Sequence, residues 1–358
     1  MLHRVAFTSV LLTLFLLLLP LTAPLPASVL LERSVLPPTE AEPAPVEEEA
    51  PVPEEGPPEE ALSAAGQAAS PEADTAAGLL PGEITLLRPD GTPETMTLED
   101  YLWGVVAAEM PASFHPEALK AQAVAARSYT ACRLLEGSDR HPEANVCADF
   151  GCCQAWMSRE ERMERWGEEG EGYAGKISDA IAATAGEYLV WESLPALAVF
   201  HASSDGATRS AQSVWGQQLP YLVSVSSPEG EQDAPNYYST VSYPAEEFAA
   251  LFLSLWPEAD LSGDCGGWFS APEREEGGGL SSLQVGGVRV TAQELRTLCA
   301  LRSASFEVSC QDGTVTFQVT GYGHGVGMSQ YGANVLAKQG SDYRQILAHY
   351  YPGTEICG

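Results

Sequence analysis

The first quarter of this 358-residue chain has a composition that cannot form a packed core. Residues 35–87 contain twelve Asp or Glu side chains and no Lys or Arg, and Pro and Ala are dense among them. So little apolar surface cannot offset the entropy of ordering the backbone. We therefore predict a disordered acidic linker over 32–82 and a folded region over 83–358.

An apolar segment precedes this linker. No residue between Arg4 and Glu32 is charged, and Val5–Leu19 is almost wholly apolar behind a basic start. This pattern is typical of an export signal or a membrane anchor, predicted here over 1–31. We favour an uncleaved single-pass anchor in the cell membrane, with the folded region outside the cytoplasm. Secretion after signal cleavage is the alternative.

The folded region is also acidic, with 16 basic and 36 acidic side chains from Arg88 onward. This charge argues against nucleic acid as a partner, because its binding depends on basic side chains that face phosphates. A neutral or weakly charged glycan is neither attracted nor repelled. Charge therefore does not identify the substrate.

Helix and strand patterns alternate irregularly beyond the linker. A short strand at 84–88 precedes helices from Thr97 to Glu109 and from Pro116 to about Leu135. Without a βαβ repeat, the pattern predicts an α+β fold: a helix-rich region with mixed strands and an inserted helical subdomain at about 240–305. Further helices are predicted at 158–166, 177–185, 244–256, 291–301, 334–338 and 343–350, and further strands at 188–191, 196–201, 306–308 and 315–321.

The helix that ends at Glu109 carries this acidic side chain on its apolar face. Leu102 and Val105 recur at helical spacing, and Glu109 lies four residues after Val105. Burying a carboxylate costs on the order of several kcal/mol, so Glu109 must be paired, protonated or functional. A raised pKa would suit a general acid, and an ion pair with a nearby cation is the alternative. Asp100, about two and a half turns away, is predicted to cap the helix.

Four stretches, in order along the chain, resemble the stage II sporulation protein D family. They are Leu98–Ala112, His115–Ala131, Phe200–Arg209 and Gly321–Val335, within a similarity that covers essentially 84–358. The resemblance implies a peptidoglycan lytic transglycosylase of sporulation and engulfment. Such an enzyme cuts the β-1,4 bond between N-acetylmuramic acid and N-acetylglucosamine and leaves a 1,6-anhydro end. The resemblance assigns the catalytic acid to Glu109.

This chemistry needs one carboxyl group, because the sugar's own 6-hydroxyl replaces the second carboxylate of a hydrolase. Glu109 would protonate the leaving oxygen and later accept the proton of the attacking hydroxyl. The resemblance also implies a substrate of glycan strands freed of stem peptides and a place in the mother-cell membrane facing the forespore septum. Stage II sporulation proteins P and M are the implied protein partners.

The second helix presents Lys120 and Arg127 on one face. One interpretation is a solvated face with an ion pair between Glu117 and Lys120. The resemblance favours a role at the active site, in which either cation holds Glu109 or binds the glycan.

Two polar loops carry the other predicted substrate-binding residues. His201 and His324 lie in loops that we expect to line the glycan groove, although a hydrogen-bonded structural role is the alternative for His324. Family members have a second Gly where this chain has Asp205. The remaining predicted substrate-binding or supporting residues are Gln122, Ser203, Ser204, Ser329, Gln330 and Tyr331.

A cysteine-rich loop predicts a metal site. His141, Cys147, Cys152 and Cys153 offer four ligands of the kinds that zinc prefers, and the resemblance adds that clostridial relatives carry zinc in a similar loop. With every position filled by protein, the zinc would be structural. The alternatives are one local disulfide with a free thiol, or Asp149 in place of Cys153. No organic cofactor is predicted.

We predict no metal ligand among the cysteines outside this loop. Cys132 is predicted to be a buried thiol. Up to two disulfides, in three possible pairings, are open to Cys265, Cys299, Cys310 and Cys357.

Two other functions compete with the transglycosylase. One is a non-catalytic wall-binding module that enhances an amidase, because related domains occur in amidase-enhancer proteins. The other is a zinc amidase that uses the cysteine-rich loop, which the closed ligand set disfavours.

Overall fold

The computed structural model describes residues 80–137, 140–275 and 279–358. The predicted anchor at 1–31 and almost all of the predicted linker at 32–82 lie outside these residues. The described residues form helices and several small sheets, which confirms the predicted α+β class. Every helix in these ranges is too short or too polar to cross a bilayer.

A three-stranded sheet opens the folded region. Its strands are β1 (Glu83–Leu87), β2 (Pro93–Thr97) and β3 (Val146–Cys147). β1 lies in the centre, antiparallel to β2 and parallel to β3. The sheet thereby places β3, which lies within the cysteine-rich loop, beside the end of β1 and against the helix that begins at Pro116.

Helices α1 (Leu98–Glu109) and α2 (Pro116–Glu136) follow. The Thr97 hydroxyl accepts a hydrogen bond from Asp100 N and donates one to Asp100 Oδ2 at 2.7 Å, which confirms the predicted capping role of Asp100. α1 ends at Glu109 because Pro111 forces the preceding residue into extended backbone. Glu109 therefore lies at the point where the helix stops.

Several of the elements that follow pack on α2, whose buried alanines allow close contact. The predicted helix at 177–185 is the end of a longer helix. The predicted strand at 196–201 keeps only its last two residues, because Leu197 N donates to the Tyr221 hydroxyl instead of to a strand. The elements are α3 (Arg159–Trp166), α4 (Gly170–Ala183), β4 (Tyr188–Trp191), β5 (Leu194–Pro195), β6 (Phe200–His201) and α5 (Ala211–Trp215).

The inserted subdomain has its own apolar core and two three-stranded sheets. In one sheet β12 lies between β11 and β7, and in the other β9 lies between β10 and β8. The elements are β7 (Tyr238–Pro244), α6 (Ala245–Leu253), β8 (Phe269–Arg274), β9 (Leu280–Val285), β10 (Val288–Thr291), α7 (Ala292–Leu298), β11 (Phe306–Gln311) and β12 (Thr314–Thr320).

The prediction of a helical subdomain at 240–305 is therefore wrong. The two predicted helices exist as α6 and α7, but the glycine-rich stretch between them folds into strands. Gly286 and Gly287 both adopt positive φ and form the turn of the hairpin between β9 and β10.

One disulfide closes this subdomain. Cys265 and Cys310 are bonded, whereas Cys299 and Cys357 are free thiols. Cys132 is buried on α2, as predicted.

The C-terminal stretch returns to α2. β13 pairs in parallel with β6 and leads directly into α8, which begins earlier than predicted because the Ser329 hydroxyl caps it by accepting from Gly332 N. α8 and α9 both pack on α2. The elements are β13 (Met328–Ser329), α8 (Gln330–Lys338), α9 (Tyr343–Tyr350) and β14 (Glu355–Cys357).

Candidate active site and metal centre

Glu109 is fully buried at the end of α1. Its Oε1 accepts a hydrogen bond from Ala155 N at 2.8 Å, and its Oε2 has no hydrogen-bond partner among the described residues. Burial raises the pKa of the carboxyl to about 8, and the bond from Ala155 opposes this rise only in part. Glu109 therefore holds a proton at neutral pH, as a general acid must.

The segment Gln154–Met157 lies across α1 and supplies that hydrogen bond. Gln154 Nε2 donates to the Tyr101 hydroxyl at 3.3 Å and to Thr130 Oγ1 at 3.2 Å, which ties the segment to α1 and α2. Trp156 packs so closely on Gly104 that a Cβ there would meet its indole nitrogen at 2.2 Å. The sequence pattern did not predict these residues. Ala155 acts through its backbone N–H and Trp156 through a close contact with Gly104, and neither leaves a pattern in the sequence.

A second carboxylate does not act on Glu109 within the described residues. Only burial and the Ala155 bond shift the pKa of Glu109. Asp100, the acidic residue considered beforehand, is engaged in capping the opposite end of α1. Among the described residues, the shifted pKa of Glu109 thus arises without the neighbouring carboxylate that typical glycoside hydrolases pair with their acid.

The two cations predicted to support the site, Lys120 and Arg127 on α2, do not hold Glu109. Lys120 Nζ lies 2.6 Å from Glu117 Oε1, and Arg127 donates to the backbone oxygen of Glu187 at 2.9 Å. The expectation that either cation positions Glu109 is wrong, because both face the region where α2 meets α9 and β4. Burial lowers the pKa of Arg127 to about 10. A role for the pair in glycan binding stays a prediction.

The two histidine loops lie together because β6 pairs with β13. The rings of His201 and His324 are 5.8 Å apart and both are buried. His201 Nδ1 lies 3.2 Å from Val326 O, which accepts its proton, so Nε2 accepts from the Ser204 hydroxyl at 2.6 Å. His324 Nδ1 accepts from Val326 N at 3.0 Å. Burial lowers the pKa of both rings, that of His201 to about 4.

These loops line part of a small, partly open cavity of about 10 Å³, room for a single water, with Ser203 and Ser204 in its wall. The cavity cannot hold a sugar. A glycan would have to contact the outside of the two histidine loops. That these loops line a glycan groove stays a prediction.

Glu229 is a buried acid that the sequence pattern did not reveal. Its Oε1 accepts from Ser204 N at 2.6 Å and from the Ser329 hydroxyl, and its Oε2 accepts from the Ser227 hydroxyl at 2.6 Å. Glu229 therefore joins both histidine loops to the start of α8. Its neighbours in sequence, Ser-Pro and Gly, are residue types common in surface turns.

The start of α8 connects this network to the region of Glu109. Gln330 Nε2 donates to Gln122 Oε1 at 3.4 Å on α2. Tyr331 packs edge-on against Phe114, with ring centroids 4.9 Å apart, in the loop that follows Glu109. Gln330 and Tyr331, predicted as substrate-binding or supporting residues, are therefore buried. Their contacts connect the two histidine loops to the region of Glu109.

The predicted zinc ligands converge. The ligand atoms of His141, Cys147, Cys152 and Cys153 all lie within 4.8 Å of one another, and all four residues are buried. His141 Nδ1 lies 3.1 Å from Ala144 O, so it donates there and directs the lone pair of Nε2 at the cluster, 3.4 Å from Cys153 Sγ. Hydrogen bonds from the neighbouring thiols lower the pKa of Cys152, which favours its thiolate form.

Asp149 does not belong to this cluster. Its Oδ1 accepts from Gly151 N at 2.9 Å, and its backbone oxygen accepts from the amides of Cys152 and Cys153. Asp149 therefore shapes the turn that presents the thiols, and its suggested role as a replacement ligand is wrong. The donor set of three thiols and one imidazole fits a tetrahedral zinc.

Comparison with known proteins gives consistent matches. A family model described as "Stage II sporulation protein" matches residues 91–191, which include Glu109 and the four-residue cluster. Stage II sporulation protein D of Bacillus amyloliquefaciens is 37% identical over 74% of this chain and 75% of the relative. The protein of that name from Bacillus subtilis is also 37% identical, over the same shares. The amidase enhancer of Bacillus subtilis is 27% identical over 71% of this chain and 40% of the relative.

Proposed function

The chain belongs to the stage II sporulation protein D family, which has a role in cell-wall remodelling, and we propose that it is a peptidoglycan lytic transglycosylase. Its proposed target is the β-1,4 bond between N-acetylmuramic acid and N-acetylglucosamine. The observation that carries the proposal is a single buried carboxyl group, Glu109, whose pKa of about 8 keeps it protonated at neutral pH.

In the proposed reaction Glu109 donates its proton to the glycosidic oxygen as the bond from that oxygen to the anomeric carbon breaks. The 6-hydroxyl of the same muramic acid attacks the anomeric carbon and closes the 1,6-anhydro ring. Its proton returns to the Glu109 carboxylate, so the acid is regenerated and no water is consumed. One carboxyl group is sufficient for both transfers.

Glu109 is shielded from solvent, so binding of a glycan requires a covering segment to move. Gln154–Met157 is the candidate, because it lies against α1 and because Trp156 is only half-buried. Displacing this segment would remove the Ala155 hydrogen bond and bring the sugar oxygen to the carboxyl.

We propose that zinc binds the four-residue cluster as a structural metal. Four protein donors fill a tetrahedral shell and leave no position for a catalytic water, which also argues against a zinc amidase. Cys152 and Cys153 directly precede Gln154, so a metal there would fix the start of the segment that contacts Glu109. No organic cofactor is proposed.

The proposed setting is the sporulation envelope. We propose that an N-terminal membrane anchor places the folded region outside the cytoplasm, at the mother-cell membrane that faces the forespore septum. Glycan strands stripped of peptides are the proposed substrate, with stage II sporulation proteins P and M as protein partners.

A non-catalytic enhancer of an amidase is the second candidate, and the similarity to an amidase enhancer favours it. The Glu109→Gln variant separates the two. Incubated with peptide-stripped glycan strands, the wild type is expected to release anhydro-ended fragments and the variant to lose this activity by several orders of magnitude. Equal stimulation of an amidase by both proteins, without glycan fragments from either, would favour the enhancer.

A further inference from the structure

The sheet formed by β7, β12 and β11 has one face on the core of the inserted subdomain and one face in solvent. Val315, Phe317 and Val319 are buried on the inner side. Because side chains alternate along a strand, the outer face follows from the register. We call this set of residues the outer face; its members are Tyr238, Thr240, Ser242, Pro244, Glu307, Ser309, Gln311, Thr314, Thr316, Gln318 and Thr320.

The outer face is almost free of charge. Glu307 is its one charged member, although the chain as a whole carries 49 acidic and 18 basic residues. Apart from Glu307 and Pro244, every member ends in a hydroxyl or amide group, which can both donate and accept hydrogen bonds. A highly charged partner finds no complementary charge here, whereas a polymer of hydroxyl and amide groups finds matching donors and acceptors.

Tyr238 adds an aromatic anchor to this face. Its side chain is 60% exposed, and Tyr237 packs edge-on against it with ring centroids 5.0 Å apart. A ring held by its neighbour loses little entropy when it binds, and such rings are favoured at interfaces. A sugar presents C–H groups on its flat side and hydroxyls at its edge, which matches an aromatic ring beside a hydroxyl-rich sheet.

The aromatic end of the outer face adjoins the histidine loops. Tyr238 pairs with Thr320, and Gly321 N donates to Tyr237 O at 2.8 Å. The chain then continues directly into the loop that carries His324. A polymer on the outer face can therefore continue toward the loops of the candidate site.

We propose that the outer face binds the glycan backbone of peptidoglycan as a contact additional to the Glu109 site. Tyr238 stacks on one sugar, and hydroxyl and amide side chains of β7 and β12 bond to its neighbours. The identity of the polymer rests on the proposed function. The contact would hold a strand on the enzyme between cleavage events.

The test measures binding of the full chain to purified peptidoglycan by co-sedimentation. All proteins carry Glu109→Gln, so that the polymer stays intact under the proposed chemistry. Adding Tyr238→Ala is expected to raise Kd at least about tenfold, and Tyr238→Phe to leave it within about threefold. Leu255→Ala is the matched control, because Leu255 is also 60% exposed in the same subdomain but lies off the sheet, and it should not change Kd.

Equal Kd values for Tyr238→Ala and Leu255→Ala, with unchanged melting temperatures, overturn the inference. So does loss of a dimer in Tyr238→Ala without loss of glycan binding, since the face would then join two copies of the chain. Binding is read without cleavage, so the two proposals fail separately. A wild type that binds through Tyr238 but releases no anhydro ends contradicts the proposed activity and leaves the outer face as a glycan contact.

Discussion

Replacing Glu109 by Gln is expected to stabilise the fold at neutral pH while abolishing activity. Burial raises the pKa of Glu109 from its ordinary 4.5 to about 8 in the folded chain. Between these values the unfolded chain has released the proton and the folded chain still holds it. Stability then falls by about 1.4 kcal/mol for each pH unit. The stabilisation of the fold by this bound proton is fully present below pH 4.5 and is lost as the pH rises to 8.

The magnitude at a given pH follows from this slope. At pH 7, which is two and a half units above the ordinary value, the cost to the wild type is about 3 kcal/mol. Gln carries no charge and keeps an oxygen that can accept the 2.8 Å hydrogen bond from Ala155 N. The variant should therefore match the wild type near pH 4.5 and exceed its stability by about 3 kcal/mol at pH 7.

Urea unfolding of both proteins at several pH values between 4.5 and 8 measures this difference. Other titrating groups are common to the two proteins and cancel in the comparison. A difference that stays constant across this range would refute the reasoning, because the pKa of Glu109 would then be the same in the folded and unfolded chains.

Three other substitutions address the contacts around the site. Cys153→Ser should reduce zinc from about one ion per chain to a small fraction, measured by elemental analysis; unchanged zinc content would remove Cys153 from the ligand set. Gly104→Ala should destabilise the fold by about 1–3 kcal/mol through its clash with Trp156. Its control is Gly175→Ala on α4, where nothing lies within 4 Å and no loss is expected. Glu229→Ala should cost about 2–4 kcal/mol, because it leaves buried donors without an acceptor; a loss below 1 kcal/mol in urea unfolding would contradict that network.

Local chemistry made part of the fold predictable. The N-terminus of α1 was fixed by Thr97 and Asp100, and its end by the proline that follows Met110. The cysteine-rich loop was predictable as a cluster because its ligands are close in sequence. These features depend on short-range contacts, which a residue pattern reports directly.

The remaining features depend on contacts between distant segments. Gly286 and Gly287 form the turn of a hairpin whose strands pack on a separate core, and no strand was predicted between the two helices of this subdomain. Lys120 and Arg127 share a helix face by their spacing, but Lys120 pairs with Glu117 on α2 itself and Arg127 donates to Glu187, the residue before β4. Spacing alone cannot show which neighbour an element will meet.

The candidate site likewise contains one residue that could be predicted from sequence and others that could not. Glu109 was identifiable, because a carboxyl on an apolar stripe is unusual in sequence. The backbone of Ala155, which donates to it, has no side-chain signature. Glu229 has an ordinary surface context in sequence and becomes a buried acceptor only when β6, β13 and α8 meet.

The most direct test of the central claim is product analysis after digestion of peptide-stripped glycan strands in oxygen-18-labelled water. If Glu109 delivers one proton and the sugar's own 6-hydroxyl closes the ring, the new ends are 1,6-anhydro-muramic acid without labelled oxygen, and Glu109→Gln yields none. New reducing ends that carry the label would show that water is the nucleophile and would contradict the account.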